Sequence, residues 1–425
     1  MEALNMTSNV PAQALSHRLE DLLLGLLAEN NLPDECANTV ITGIATDSRK
    51  VMPGDLFIAL NGLTVDGRDY INDAVEHGAI AVLADADESF SIRNKGLVAI
   101  ISMQNLGEHL SDIADRFYGK PTENLTVIGV TGTNGKTSCS HLIASLATTA
   151  GQKSGLLGTL GYGVYQQGAL ELQQTGFTTP DAVQLQACMH DLQANSCDVI
   201  AMEVSSHALA QHRVDAIHFN IVVFTNLSHD HLDFHKNMAS YAAAKRRLFS
   251  FEGIDAAVIN ADDEFGERLA KELRTHSKVF TYSVSDTQAD VFAQNTRYSL
   301  NSISSDVVSP WGRATITMPL IGEFNLSNAL AALTAMLASG GDFDALVAAF
   351  SEVTAVKGRM EIVSDSSSQA IDNKTVVVDF AHTPQALELA LAALRSHTKG
   401  QLWCVFGCGG DRDNDKRAAM GRIAK

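Results

Sequence analysis

The chain has 425 residues, enough for two or three domains, and 45% of them are hydrophobic, enough for sizeable cores. Its formal charge of −18 excludes nucleic acid as the main partner, because binding a phosphate backbone calls for a basic face. Six scattered cysteines without a Cys-x-x-Cys pair exclude a disulfide framework or a zinc ribbon and point to a reducing, cytoplasmic compartment. The apolar run at 22–27 is too short for a membrane span or a signal sequence, so no membrane partner is expected.

From the N-terminus, Thr46-Asp47-Ser48-Arg49 precedes a turn and strand at 51–60. A helical pattern follows at 69–77, a short buried strand at 79–84, and an amphipathic helix at 106–118 that stops at Gly119-Lys120-Pro121. This first α/β unit is placed at 1–108. The second, at 109–358, alternates strands at 126–130, 198–203, 221–226 and 256–260 with helices, one running from Lys136 to about 149. That alternation predicts a doubly wound, mainly parallel sheet. The stretch 279–320 alternates polar and apolar residues and is expected as an antiparallel addition, followed by an Ala/Leu-rich helix at 325–337. The third unit, 359–425, should hold a strand at 376–379, a helix at 384–396, a second strand at 402–406 and a final helix from 416. Two strands cannot close a stable α/β sheet. This domain is therefore expected either to continue beyond residue 425 or to pack heavily on its neighbour, and the former is favoured.

In open α/β sheets, ligands bind at the carboxyl ends of the strands. Here those ends carry three polar clusters, which should share one edge. The first is the Gly-rich turn 131–137, Thr-Gly-Thr-Asn-Gly-Lys-Thr. Its backbone amides and the start of the next helix form an anion cradle, with Lys136 reaching the β/γ-phosphates and Thr137 a magnesium ion. The spacing is offset from the common P-loop, because position 130 is Val and the glycines stand at 129, 132 and 135. The plainer alternative is a strand–helix turn with no ligand.

The second cluster is Glu203-Val-Ser-Ser-His207, where Glu203 is placed to bind Mg²⁺ directly or through water. The third holds His229, Asp230, His231, Asp233 and His235. It reads as a zinc site, as a nitrogen ligand to Mg²⁺ or Mn²⁺ beside a nucleotide, or as a solvated loop; the second is preferred. Lys245 follows on a helix, and a desolvated lysine can add CO₂ to become a metal-binding carbamate, although a solvated lysine is the commoner case. Gln211-His212-Arg213 offers a bidentate grip on a carboxylate or phosphate. Phe177-Thr178-Thr179-Pro180 offers hydroxyls, or a cap for a helix at 181–194. Asn325, Asn328, Arg359, Asp379 and His382 flank the third unit and could hold adenine, ribose or phosphate, each being individually explicable as structural.

Together these motifs, with Gly358-Arg359-Met360-Glu361, Asp379-Phe380-Ala381-His382-Thr383-Pro384 and Gly407-Cys-Gly-Gly-Asp-Arg412, resemble the Mur ligase family along the whole chain. The resemblance implies an α/β fold in three parts: a small N-terminal domain, a central P-loop domain with a doubly wound sheet, and a C-terminal Rossmann-like domain that is incomplete here. It implies an ATP-dependent amide-forming ligase that acts as a monomer in cytoplasmic peptidoglycan synthesis, hence in cell-wall growth, cell shape and division. The substrates would be UDP-MurNAc-L-Ala-D-Glu, ATP and meso-diaminopimelate, with Mg²⁺ as cofactor.

Carried over by position, Thr46, Ser48, Leu63, Thr64 and Val65 would bind the UDP-sugar. Phe177, Thr178, Thr179, Ser205, Gln211 and Arg213 would hold the muramoyl-dipeptide. Gly132, Thr133, Asn134, Gly135, Lys136, Thr137 and Ser138 would bind ATP, with Asn325, Arg359 and Asp379. Thr137, Glu203, His231 and carbamylated Lys245 (an N6-carboxylysine) would ligate Mg²⁺, and Lys136, Lys245 and His231 would be catalytic. Arg412 would meet the incoming amino acid. Two departures stand out: Phe380 where the family has Tyr, and the absence of the Asp-Asn-Pro-Arg motif that reads diaminopimelate, which is expected beyond residue 425. The competing readings are an L-lysine-adding ligase, a truncated inactive remnant that binds nucleotide or UDP-sugar, a folylpolyglutamate-type ligase, and a nucleotide switch that joins nothing.

Overall fold

The computed structural model describes residues 15–27, 32–62, 65–86, 90–166, 172–299, 301–363, 375–408 and 415–425. Leu63, Thr64 and Arg412, all expected to touch ligands, lie outside this set. The chain forms two compact units, one of residues 1–124, 180–193 and 207–217, the other of 125–179, 194–206 and 218–425.

The first unit is built on strands β1 (Gly43–Ala45), β2 (Asp55–Ala59), β3 (Ala81–Asp85), β4 (Ser91–Lys95) and β5 (Val98–Met103), in the order β1-β2-β3-β5-β4. All pairs are parallel except β4 with β5. Every residue of β2 is buried, as a parallel strand covered on both faces requires. Helix α1 (Ile71–Glu76) lies on one face, and α2 (Leu106–Phe117) buries Leu106, Leu110, Ile113 and Phe117 in the same core as Leu56 and Leu83. Two short 3₁₀ turns begin at Ser48 and Gly67, and each is capped by the preceding aspartate, Asp47 and Asp66, which accepts the N–H of the arginine two residues on.

The second unit carries a ten-stranded sheet. Its strands are β6 (Thr126–Thr131), β7 (Ser154–Gly158), β8 (Gly161–Val164), β9 (Val199–Glu203), β10 (Ile221–Phe224), β11 (Ala256–Asn260), β12 (Val279–Ser283), β13 (Val291–Ser299), β14 (Ser302–Ser309) and β15 (Gly312–Met318). They run in the order β8-β7-β9-β6-β10-β11-β12-β13-β14-β15. The core strands are parallel, with Val130 opposite Glu203 and Thr131 opposite Phe224. Beyond β13 the pairing turns antiparallel, as the alternation over 279–320 led one to expect, although β12 itself still pairs in parallel with β11. Helix α3 (Lys136–Thr149) and helix α4 (Glu323–Ala338) share one core with β6 and β10, in which Ile128, Ile143, Leu330 and Leu333 are wholly buried.

The last stretch pairs β16 (Glu361–Val363) with β17 (Val376–Val378), antiparallel, followed by helices α5 (Pro384–His397) and α6 (Asp415–Ile423). Thr383 caps α5 by accepting the Ala386 N–H at 3.2 Å, with Pro384 in the first turn, where its missing N–H costs nothing. The strand expected at 402–406 is absent: residues 401–408 carry no regular structure. A strand exists only where a neighbour completes its ladder, and Trp403 and Val405 are 83% and 99% exposed.

Candidate active site

The carboxyl ends of β6, β9 and β10 lie side by side in parallel register, so the three polar clusters do share one sheet edge. The loop after β6 is fixed from the neighbouring strand end. Asn226 accepts the Asn134 N–H at 2.9 Å and donates to Asn134 O at 3.1 Å, while Thr225 Oγ1 donates to the same oxygen at 2.6 Å. Thr133 Oγ1 lies 3.2 Å from the Tyr241 hydroxyl and accepts the Ser228 N–H at 2.9 Å. Gly135 has φ +86°, and a Cβ there would stand 2.6 Å from Asn328 Oδ1. A Cβ at Gly132 would stand 1.8 Å from Thr225 Oγ1. The offset glycines are thus those that let the backbone fold over itself before α3.

Two ammonium groups meet at one carbonyl. Lys136 Nζ donates to Gly132 O at 2.8 Å and to Thr133 O at 2.9 Å, and Lys245 Nζ donates to Gly132 O at 2.7 Å. Lys245 is 1% exposed, and its Nζ lies 4.6 Å from the centre of the Tyr241 ring. Burial first, and then the charge of Lys136, hold its pKa well below the ordinary lysine value, with Asp230 opposing. A neutral amine is the form that reacts with CO₂. Lys136 is lowered as well, by burial, while Glu203 and Asp230 pull it up and Arg359 pushes it down.

Glu203 is 1% exposed at the end of β9. Its Oε1 accepts the Thr159 N–H at 2.8 Å, and its Oε2 accepts hydroxyls from Thr137 at 3.0 Å and Thr159 at 3.2 Å. Burial raises its pKa against the pull of Lys136 and these donors, so the site stands to gain from a further cation. Hard oxygen donors of this kind suit Mg²⁺. Thr178 Oγ1 lies 3.0 Å from Thr159 Oγ1, and Thr179 Oγ1 donates to the Glu203 carbonyl at 2.9 Å while accepting the Ser205 N–H at 3.0 Å. Thr179 is therefore not the cap of the following helix; Asp181 is, accepting the N–H groups of Val183 and Gln184.

His231 has φ +52° and its Nε2 lies 3.4 Å from Asp230 Oδ2. Burial lowers its pKa more than Asp230 raises it, which favours the neutral imidazole that binds metals. His235 turns away to Ser206 Oγ at 2.9 Å. Among the described residues no three His, Cys, Asp or Glu side chains gather as a metal cluster, so the zinc reading of 229–235 has no ligand set. Asn325 donates to Ile321 O at 2.8 Å, Asp379 accepts the N–H groups of Met360 and Ala381 at 2.9 and 2.8 Å, and the Arg359 guanidinium lies 5.6 Å from the centre of the Phe380 ring.

Ser205, Thr178, Thr179 and the exposed Phe177 fall in the second unit, whereas Thr46, Ser48, Val65, Gln211 and Arg213 fall in the first. There the Arg213 guanidinium donates to Gln211 Oε1, Ser48 is buried, and Val65 and Thr46 are exposed. The first unit also holds a cavity of about 380 Å³ lined by Asn61, Asp85, Asn105, Glu108, Gln211 and His212. Apart from Gln211 and His212, sequence reasoning missed these residues, although several follow strand ends of a parallel sheet. It also missed Thr159, Tyr241 and the role of Asp230, for which the sequence carries no motif.

Three family models match the chain: "Mur ligase family, catalytic domain" at residues 40–118, "Mur ligase middle domain" at 130–336, and "Mur ligase, glutamate ligase domain" at 358–425. A protein of Coxiella burnetii named UDP-N-acetylmuramoyl-L-alanyl-D-glutamate--2,6-diaminopimelate ligase is 44% identical over 92% of this chain and 78% of its own length. A protein of the same name from Pseudomonas aeruginosa is likewise 44% identical, over 92% of this chain and 78% of its own. A solved structure of a ligase of that name superposes with a TM-score of 0.76 at 33% identity, covering 96% of this chain and 80% of the other.

Proposed function

The chain belongs to the Mur ligase family, and from that premise we propose that it joins meso-2,6-diaminopimelate to UDP-MurNAc-L-Ala-D-Glu at the expense of ATP. Membership makes it an ATP-dependent, amide-bond-forming ligase. The amino acid and the acceptor follow from the names of relatives 44% identical to it. The observation that carries the reading is the sharing of Gly132 O by Lys136 and Lys245 beside a Glu203 carboxylate held by Thr137.

The D-glutamyl carboxylate of the acceptor attacks the γ-phosphorus of ATP, giving an acyl phosphate and ADP. The diaminopimelate amine then attacks the acyl carbon, and phosphate leaves with the bonding pair. Charge neutralisation governs the first step. The loop amides of 132–138 cradle the phosphates, and Lys136 leaves its two carbonyls for the β/γ-oxygens. Thr137, Glu203, His231 and Lys245 as a carbamate would hold Mg²⁺, which supplies neutralisation of phosphate charge when bound. Asn325, Arg359 and Asp379 contact the nucleotide. Thr178, Thr179, Ser205, Gln211 and Arg213 hold the muramoyl-dipeptide, with Phe177 beside them, and Thr46, Ser48 and the 63–65 loop hold the UDP part. Arg412 meets the diamino acid. The reaction runs in the cytoplasm on a monomer divided at 108 and 358. Among the described residues no helix is long and apolar enough to cross a membrane.

Phosphate release from ATP, measured with UDP-MurNAc-L-Ala-D-Glu and either meso-diaminopimelate or L-lysine, tests this. Release should require the acceptor and diaminopimelate together. Release with lysine alone would overturn the amino-acid assignment, and release indifferent to the acceptor would overturn the ligase reading.

A further inference from the structure

As a carboxylate, the form that the neighbouring Lys136 and the donors around it favour, Glu203 can only accept hydrogen bonds, and that fact orders the hydroxyls around it. The carboxylate takes the Thr159 N–H on Oε1 and the hydroxyls of Thr137 and Thr159 on Oε2. Both hydroxyl protons are therefore committed to Glu203. Thr159 Oγ1 also lies 3.0 Å from Thr178 Oγ1. Since Thr159 has already given its proton away, Thr178 must donate across that contact. The protons run one way, from Thr178 to Thr159 to Glu203, and Thr178 and Thr137 are left with only lone pairs to offer a ligand.

Gly158 reinforces this order. A Cβ there would stand 2.2 Å from Glu203 Oε1, so the carboxylate packs directly on the β7 backbone, where only a glycine leaves it room. Thr159 follows at the very end of β7 and fixes both oxygens at once.

We propose that Thr159 is a positioning residue: it takes the Thr178 proton and holds both oxygens of the Glu203 carboxylate to which Thr137 gives its own, so that Thr178 offers lone pairs to an N–H group of the acceptor peptide and Glu203 with Thr137 stays aligned for a divalent cation. The proposal rests on the function proposed above for the identity of that peptide. A lone-pair-only Thr178 suits an amide N–H and repels a carboxylate, so the group it meets on UDP-MurNAc-L-Ala-D-Glu is a peptide N–H and not the D-glutamyl carboxylate.

Thr159→Val keeps the volume and the backbone N–H but removes the relay, and Thr159→Ser keeps the relay. Two titrations without turnover separate the consequences: Mn²⁺ binding to the ADP-loaded protein, read by electron paramagnetic resonance, and acceptor binding read by calorimetry. Thr159→Val should weaken both by roughly tenfold, with the thermal midpoint unchanged, and Thr159→Ser should restore both to within about threefold. Wild-type affinities in Thr159→Val, or a Thr159→Ser variant as weak as Thr159→Val, would overturn the role of Thr159. Should Thr159→Val unfold, Thr159→Ser combined with Thr178→Val must still lose acceptor affinity and keep Mn²⁺ affinity; loss of both would overturn the one-way order. Failure of the wild-type chain to bind the acceptor while Mn²⁺ and ADP bind would overturn the proposed function instead.

Discussion

The loop at 132–135 and the segment at 358–382 are both expected to touch the same nucleotide, yet they are built in opposite ways. In the loop, Thr133 and Asn134 are hydrogen-bonded by residues more than ninety positions away, and Glu203 behind them is 1% exposed. In the later segment Asp379 is bonded to the backbone of Met360 and Ala381, and the paired valines Val363, Val376 and Val378 are 45%, 46% and 42% exposed. The difference teaches that the phosphate end of the site is preorganised by bonds to a neighbouring strand end and by deep burial, whereas the part contributed by 358–382 is bonded within its own segment and carries a half-exposed strand pair. Preorganised donors are worth most where charge develops.

Glu203→Gln probes the rigid end most directly. It puts an amide N–H donor where Thr137 and Thr159 already donate, and kcat should fall roughly a hundred- to a thousandfold, measured as phosphate release. Next comes Gly135→Ala, which forces a methyl toward Asn328 at φ +86°. Urea unfolding should show a loss of about 1–3 kcal/mol, with ATP affinity falling as well; an unchanged midpoint would mean that the loop is not preorganised.

Beneath the loop, His141 on α3 is buried and its pKa is lowered from 6.5 to about 4 by burial. The unfolded chain therefore binds a proton that the folded chain refuses. Stability is complete above pH 6.5 and drains away as pH falls toward 4, by up to about 3 kcal/mol. A His141→Phe variant should lose that slope in urea titrations across this window.

At the later segment, Phe380→Leu removes the ring beside Arg359 and should raise the ATP KM about threefold with kcat nearly unchanged, since an exposed cation–π contact contributes only about 0.5–1 kcal/mol. A collapse of kcat would show that 358–382 is as preorganised as the loop. The smallest effect is expected in the first unit. Arg49 holds the Asp47 carboxyl at about 2, so its contribution is present above pH 3.8 and is lost as pH falls through 2. That pair is largely exposed, and Asp47→Asn should shift stability at pH 7 by less than about 1 kcal/mol.

Much of the rigid end was legible in the sequence, because its signals are local. The β-branched run 126–130, the Gly-Lys-Thr turn and the helix from Lys136 each declare themselves within a few residues. The strand expected at 402–406 failed for the complementary reason: apolar composition says nothing about whether a partner strand is at hand. The alternative of a helix cap within 177–180 is not realised, because Asp181 accepts the first N–H groups of the 182–194 helix while tertiary bonding to Glu203 engages Thr179.

By itself the sequence determined the alternation of strands and helices, the nucleotide loop with its offset glycines, and the membership that names a chemistry. These depend on periodicity, backbone sterics and short motifs, all of which act over a few residues. Only the tertiary structure decided that Lys245 is buried against Gly132 O, that Asp230 acts on both lysines, and that Thr159 links Glu203 to Thr178. Each of those joins residues from separate strands or loops. Burial and hydrogen-bond direction are properties of the folded surroundings, and no spacing within one segment encodes them.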